Sequence, residues 1–125
     1  MKKFILPLLL ALVLTACGGG SQGYNQIDAE EAKSMMDSNA DVIILDVRQQ
    51  SEYDEGHIPN AVLFPLDTID ADNAADILPD SDATILIYCR SGNRSVQASK
   101  KLAELGYTNL YEFGGINSWP YDIES

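Results

Sequence analysis

A chain of 125 residues with 46% hydrophobic residues and ten aromatics has room for one globular domain and is not the composition of a disordered protein. Its 19 Asp plus Glu against 8 Lys plus Arg give a formal charge of −11, which argues against nucleic acid and anionic lipid headgroups as partners. An anionic substrate would need a local positive pocket.

Met1-Lys2-Lys3 is a short basic start, and residues 4–13 are an apolar run broken only by Pro7. Such a run is too short to cross a bilayer as a helix but suits the core of a signal peptide. Leu14-Thr15-Ala16-Cys17 then resembles the lipobox of bacterial lipoproteins: Leu three residues before a cysteine, a small residue just before it, and the cysteine as acceptor. The resemblance implies diacylglyceryl attachment to Cys17 and cleavage before it. Residues 1–16 are then a signal peptide, and loss of Lys2 and Lys3 leaves 6 basic residues against 19 acidic ones, a net −13. Gly18-Gly19-Gly20-Ser21-Gln22-Gly23 has no apolar content and reads as a flexible tether, so residues 17–23 join lipid to a single domain at 24–125. The expected location is the bacterial cell envelope, lipid-anchored on the periplasm-facing side. Gly18 rather than Asp after the acceptor resembles outer-membrane sorting in enteric-type bacteria. Cys89 remains as a thiol with no partner in the chain, in a compartment that favours disulfides. It is therefore either buried and inert or reactive.

The domain opens with a very short strand at 25–27 and a helix at 29–38, with Asp28 as N-cap and Glu31 placed to reach back. Residues 42–45 are a continuous β-branched run, the pattern of a strand buried on both faces. A short helix at 51–55 is expected to end on Gly56 in the left-handed conformation. A strand at 61–64 is halted by Pro65, and a poorly regular helix follows at 66–78. Residues 83–88 form the strongest strand in the chain and run directly into Cys89. A helix at 95–105 turns Val96, Ala98, Ser99, Leu102, Ala103 and Leu105 inward and stops at Gly106. A last strand at 109–113 leads to Gly114-Gly115 and a short turn at 116–119. There is no internal repeat. The alternation predicts an α/β fold, a small parallel sheet of about five strands with helices on both faces. Ligands of such sheets bind beyond the carboxyl ends of the strands, where Cys89 sits.

The strand delivers Cys89 to the loop Arg90-Ser91-Gly92-Asn93, which opens into a helix through Arg94-Ser95. Amides of such a loop can turn inward as a nest for anions, and the helix start adds free amides and the positive end of its dipole. Arg90 and Arg94 add formal charge. Together these favour thiolate over thiol and supply the positive pocket that the acidic composition otherwise lacks.

At these residues the chain resembles the rhodanese family. Cys89-Arg90-Ser91-Gly92-Asn93-Arg94-Ser95 is similar to its active-site loop. Leu45-Asp46-Val47-Arg48, Glu52-Tyr53, Gly56-His57-Ile58-Pro59-Asn60-Ala61 and Phe113-Gly114-Gly115-Ile116 with Trp119 follow in family order. The resemblance covers nearly all of residues 24–119. It implies a rhodanese-like fold and a thiosulfate sulfurtransferase. The Cys89 thiolate would attack the outer sulfur of a donor such as thiosulfate, sulfite would leave, and cyanide or a thiol would collect the sulfur from the persulfide. Arg94 is the expected contact of the donor oxyanions, with Arg90, Ser91, Gly92 and Asn93 completing the cradle; Arg90 is divided between substrate and solvent. Asp46 and Arg48 are supporting residues, a charged pair that secures two loops in preference to touching substrate. Gln49 stands where the family often has Glu. The partners implied are the small anionic donor, the acceptor and a membrane reached through lipid, with the domain a monomer and no nucleic acid involved.

No metal or organic cofactor is implied. One His and one free Cys give no metal-ligand spacing, and the resemblance assigns His57 to bracing backbone rather than to proton transfer. Gly114-Gly115 is not a phosphate loop, since no Lys and no long helix follow. A cysteine phosphatase or arsenate reductase on the same fold would carry five residues between Cys and Arg, against the four here. A non-enzymatic sulfur carrier or redox-sensing module shares the persulfide chemistry and stays open beside the enzyme.

Overall fold

The computed structural model describes residues 22–125, so the expected signal peptide, the Cys17 lipidation site and most of the tether lie outside the described residues. Five parallel strands in the order β1-β5-β4-β2-β3 make one sheet. In chain order the elements are β1 (Asn25–Gln26), α1 (Ala29–Ser38), β2 (Ile43–Asp46), α2 (Gln50–Glu55), β3 (Val62–Leu63), α3 (Ala71–Ile77), β4 (Ile85–Cys89), α4 (Asn93–Glu104) and β5 (Leu110–Gly115). Short 3-10 turns occupy Leu66–Thr68 and Ile116–Ser118. No described helix is long and apolar enough to cross a membrane.

The sheet divides two cores, and this explains the unbroken apolar runs of its central strands. Ile85, Ile87 and Cys89 of β4 pack with Leu45, Leu110, Ala74, Leu78, Ala98 and Leu102, the face covered by α3 and α4. Leu86 and Tyr88 point the other way, onto Ile44, Phe113 and Ala32 of α1, with Ile58 and Trp119 from the loops. Strand β4 is buried along its whole length, so its end is a rigid place from which to present a side chain.

Several local expectations hold and several change. Asp28 caps α1, its Oδ1 accepting the Glu31 N–H at 2.8 Å. The irregular stretch at 66–78 divides into a 3-10 turn and α3, because Asp70 caps a fresh helix by accepting the Asn73 N–H at 2.8 Å. Helix α4 starts two residues earlier than expected, at Asn93, and Leu105 is 38% exposed instead of facing inward. Gly106, at φ 101°, does end it. Gly56 is not left-handed: its φ of 166° is extended backbone. Glycine is suited there because a Cβ would stand 3.3 Å from Ile123 Cδ1. Beside it, His57 and Glu124 exchange backbone hydrogen bonds of 2.8 Å in an antiparallel bridge that brings the C-terminal segment across this turn.

One irregularity lies next to Cys89. Ile87 pairs with Glu112, yet Cys89 pairs with Gly115, so β5 carries one residue more than β4 over this stretch. Gly114, at φ 92°, accommodates the bulge, which carries β5 two residues beyond its expected end.

Candidate active site

Cys89 ends β4 with 1% of its surface exposed. Gly92, left-handed at φ 110°, turns its N–H toward the sulfur and donates to Sγ at 3.0 Å. On the other side the thiol donates to Ser95 Oγ at 3.4 Å, from the first turn of α4. The Ser95 hydroxyl donates in turn to Glu112 Oε2, a carboxylate on β5 that is 4% exposed. Glu112 Oε2 also accepts the Gly114 N–H at 2.9 Å, and Oε1 accepts from Gln26 Nε2 at 3.2 Å. The sulfur thus sits between a loop amide above and a buried hydroxyl–carboxylate pair below.

The two glycines after Phe113 shape the loop. A Cβ on Gly115 would overlap the Arg90 carbonyl and stand 2.6 Å from Ser91 Cα, so the loop backbone rests directly on this residue. The Asn117 N–H then holds the Arg90 carbonyl at 3.1 Å. Glycine is demanded at 115 by close approach and at 114 by its left-handed bulge conformation.

The loop side chains differ in what they can offer an anion. Arg94 is held by Glu52 in a two-pronged pair, Nη1 to Oε1 at 2.8 Å and Nη2 to Oε2 at 2.9 Å. Hydrogen bonds from Arg94, aided by the Gln49 N–H, pull the Glu52 carboxyl down to about 2. The Arg94 guanidinium is raised, first by its hydrogen bonds to Glu52 and further by the charges of Glu52 and Cys89, which places it within electrical reach of the sulfur. Arg90 lies 3.7 Å from the same carboxylate with a side chain 61% exposed. It is the looser cation. Ser91 and Asn93 are exposed at the rim, Asn93 accepting from Gln97 Nε2 at 3.2 Å.

Asp46 and Arg48 form a buried pair that holds neighbouring elements together. Arg48 Nη2 donates to Asp46 Oδ2 and to the Gly56 carbonyl, both at 2.7 Å, tying the turn after β2 to the turn after α2. Tyr88 Oη donates to the same Asp46 oxygen at 2.7 Å and accepts the Ile58 N–H at 3.1 Å. Burial, with the Asp46 contact, pushes the Tyr88 phenol far up. His57 stacks on Tyr53 with ring centroids 3.7 Å apart, and its Nδ1 lies 2.8 Å from the Tyr53 carbonyl. It braces backbone. Sequence reasoning carried Ser95 in the active-site loop and Glu52 in a family motif without giving either a role, and it passed over Glu112. Glu52 was legible as the third residue of a capping box begun by Gln49, but its second task, holding Arg94, was not.

The rhodanese-like domain model matches residues 28–121. The chain belongs to the rhodanese-like family. Among its relatives, a sulfurtransferase of Allochromatium vinosum is 36% identical over 96 residues, 76% of this chain and 87% of the relative. The thiosulfate sulfurtransferase PspE of Escherichia coli is 35% identical over 72 residues, 58% of this chain and 68% of the relative. The solution structure of the rhodanese-like domain of an Anabaena protein superposes with a TM-score of 0.72 at 30% identity, covering 80% of this chain and 78% of that one. Other relatives are larger proteins, of which the chain spans 24% in one case and 26% in another. The rhodanese domain described here is therefore an α/β domain of the sulfurtransferase class, with Cys89 at the carboxyl end of β4.

Proposed function

We propose that this rhodanese domain transfers a sulfane sulfur from thiosulfate, or a similar small anionic donor, to a thiol or cyanide through a persulfide on Cys89. The observation that carries the reading is the sulfur itself: a cysteine at the end of a buried strand, with the Gly92 amide on Sγ at 3.0 Å. The name of the PspE relative supports thiosulfate as the donor. In the first half-reaction the Cys89 thiolate forms a bond to the outer sulfur, and the S–S bond of thiosulfate breaks to release sulfite. Arg90, the less constrained guanidinium, meets the donor's oxyanions at the mouth, and Arg94, fixed by Glu52, supplies positive potential beside the sulfur. An acceptor then attacks the outer sulfur of the persulfide and restores the thiolate. The short loop, with Arg90, Ser91, Gly92 and Asn93 between Cys89 and Arg94, and its seat on Gly115 support a sulfur-sized cradle over a phosphoryl-sized one.

The test is a reaction without acceptor. The domain mixed with thiosulfate should release sulfite in a single stoichiometric burst and gain the mass of one sulfur atom, which cyanide should then remove as thiocyanate. Absence of both sulfite and adduct with any sulfane donor would end this reading.

We further propose that the full chain is a lipoprotein carried on Cys17 at the envelope, working as a monomer on the periplasmic side. The support is the Leu14-Thr15-Ala16-Cys17 box after its apolar run, followed by the glycine tether. Two or three acyl chains would hold it firmly, where one would not. Metabolic labelling with a fatty acid should mark the wild type and leave Cys17→Ser unmarked. An unlabelled wild type refutes the anchor.

A further inference from the structure

The reaction as described makes no use of Glu112, which is an odd omission for such a residue. Its carboxylate is 4% exposed, and among the described residues no Lys or Arg pairs with it. It rests on three neutral donors: Ser95 Oγ, the Gly114 N–H and Gln26 Nε2. A carboxylate buried without a cation is costly, and three neutral donors offset only part of that cost. The one titratable group joined to it is Cys89, through a single hydroxyl. That hydroxyl accepts the Cys89 S–H on its oxygen and gives its own proton to Glu112 Oε2, with the Gly114 carbonyl a longer second acceptor at 3.4 Å.

We propose that Glu112 takes up the Cys89 proton through Ser95, the three side chains forming a proton relay beneath the active sulfur. The step balances without outside help. The Cys89 S–H bond breaks and its proton passes to Ser95 Oγ, while the Ser95 O–H proton passes to Glu112 Oε2. The products are a thiolate, an intact serine and a neutral carboxylic acid, with no change in total charge. Both hydrogen bonds reverse direction: the acid donates to Ser95, and Ser95 donates to the sulfur. Two anions one hydroxyl apart repel each other, so with such a relay the second of the two protons leaves in a separate step from the first. The charge nearest the pair is Arg94 at the start of α4, which interacts with Cys89 and is itself tied to Glu52 on α2, with Arg90 of the loop on the same carboxylate; β1 presents neutral Gln26 to Glu112. Glu112 is thus a positioning residue that acts through Ser95. The inference rests on Cys89 being the reactive thiol of the proposed function.

The rate of Cys89 alkylation by iodoacetamide, followed against pH on the full chain, separates a relay from a structural carboxylate. With the relay, the wild-type rate rises in two steps separated by a plateau, the first as the pair loses its first proton and the second as it loses the last. Glu112→Gln leaves one step and slows alkylation at pH 7 by about tenfold or more, since an ordinary thiol is only a few per cent thiolate at that pH. A carboxylate acting only through its charge gives the opposite sign, since its removal eases thiolate formation and speeds alkylation. That result, or superposable single-step profiles for both proteins, overturns the relay. Ser95→Ala keeps Glu112 and cuts the connection, so it too should show one step, whereas Ser95→Thr keeps the hydroxyl and should show two. If Glu112→Gln does not fold, two steps in Ser95→Ala overturn the proposal by themselves. Alkylation needs no sulfur donor. A chain with the two-step profile that takes up no sulfur from thiosulfate would retain the relay and lose the sulfurtransferase reading.

Discussion

Cys89→Ser should release no sulfite from thiosulfate and gain no sulfur, while keeping the melting curve of the wild type within a few degrees. Serine is nearly the same size, and the site already carries a hydroxyl and an amide that can satisfy it. What it lacks is a nucleophile that ionises in the working range and forms an S–S bond. Parallel measurement of sulfite, intact mass and thermal unfolding distinguishes loss of chemistry from loss of fold. Residual burst sulfite from the Ser variant would move the chemistry away from Cys89, whatever its place in the loop.

Arg48→Ala should be the most destabilising single change in the set, at about 3–5 kcal/mol, because it strands a buried carboxylate. Asp46 is fully buried, and loss of the Arg48 side chain leaves its charge facing only the backbone N–H of position 48 and the Tyr88 hydroxyl. Domains of this size hold about 5–15 kcal/mol in total, so the loss is a large part of the whole. The Gly56 carbonyl loses its donor at the same time. Urea unfolding should show a lower midpoint with an unchanged slope. Replacing both partners, as Asp46→Leu with Arg48→Met, should recover much of the loss, since a packed apolar pair carries no stranded charge. Equal loss in the single and double variants would show that the pair matters for the shape of its hydrogen bonds and not for its charge. Tyr88 leads straight into Cys89, so activity should fall further than stability alone explains.

The sheet was legible because its strands announce themselves. The runs around Ile43 and Ile85 are continuous and β-branched, as strands covered on both faces must be. Cys89 was legible for a related reason, since the carboxyl end of a central parallel strand is where a ligand can reach the sheet. What stayed hidden depends on contacts distant in sequence. Gly56 looks like a helix-ending glycine, yet its backbone is extended, and the neighbour that a Cβ would meet is Ile123, brought over it beside the His57–Glu124 bridge. Glu112 sits within what reads as one more short strand, and nothing local says that its side chain meets Ser95. Arg94 reads as a free cation from its place in the loop, yet Glu52 lies 42 positions earlier and closes on it. The bulge at Gly114 shifts the register by one residue, a choice that a pattern of apolar residues does not encode.

The edge strand β1 is two residues long and pairs with β5 over those two residues alone. Yet Gln26 is the donor that covers Glu112 Oε1, Asn25 Nδ2 holds the Leu110 carbonyl at 3.1 Å, and the Ile27 N–H reaches the Glu112 carbonyl at 3.0 Å. A fragment trimmed to residues 28–121, the span of the family match, would keep Cys89, its loop and both glycines. It would nevertheless open the flank of β5 to water and to strand pairing with other molecules, and it would drop the Glu124 half of the bridge at His57. The smallest working unit is therefore wider than its recognisable signature, and expression designs should start no later than Tyr24 and run through Glu124.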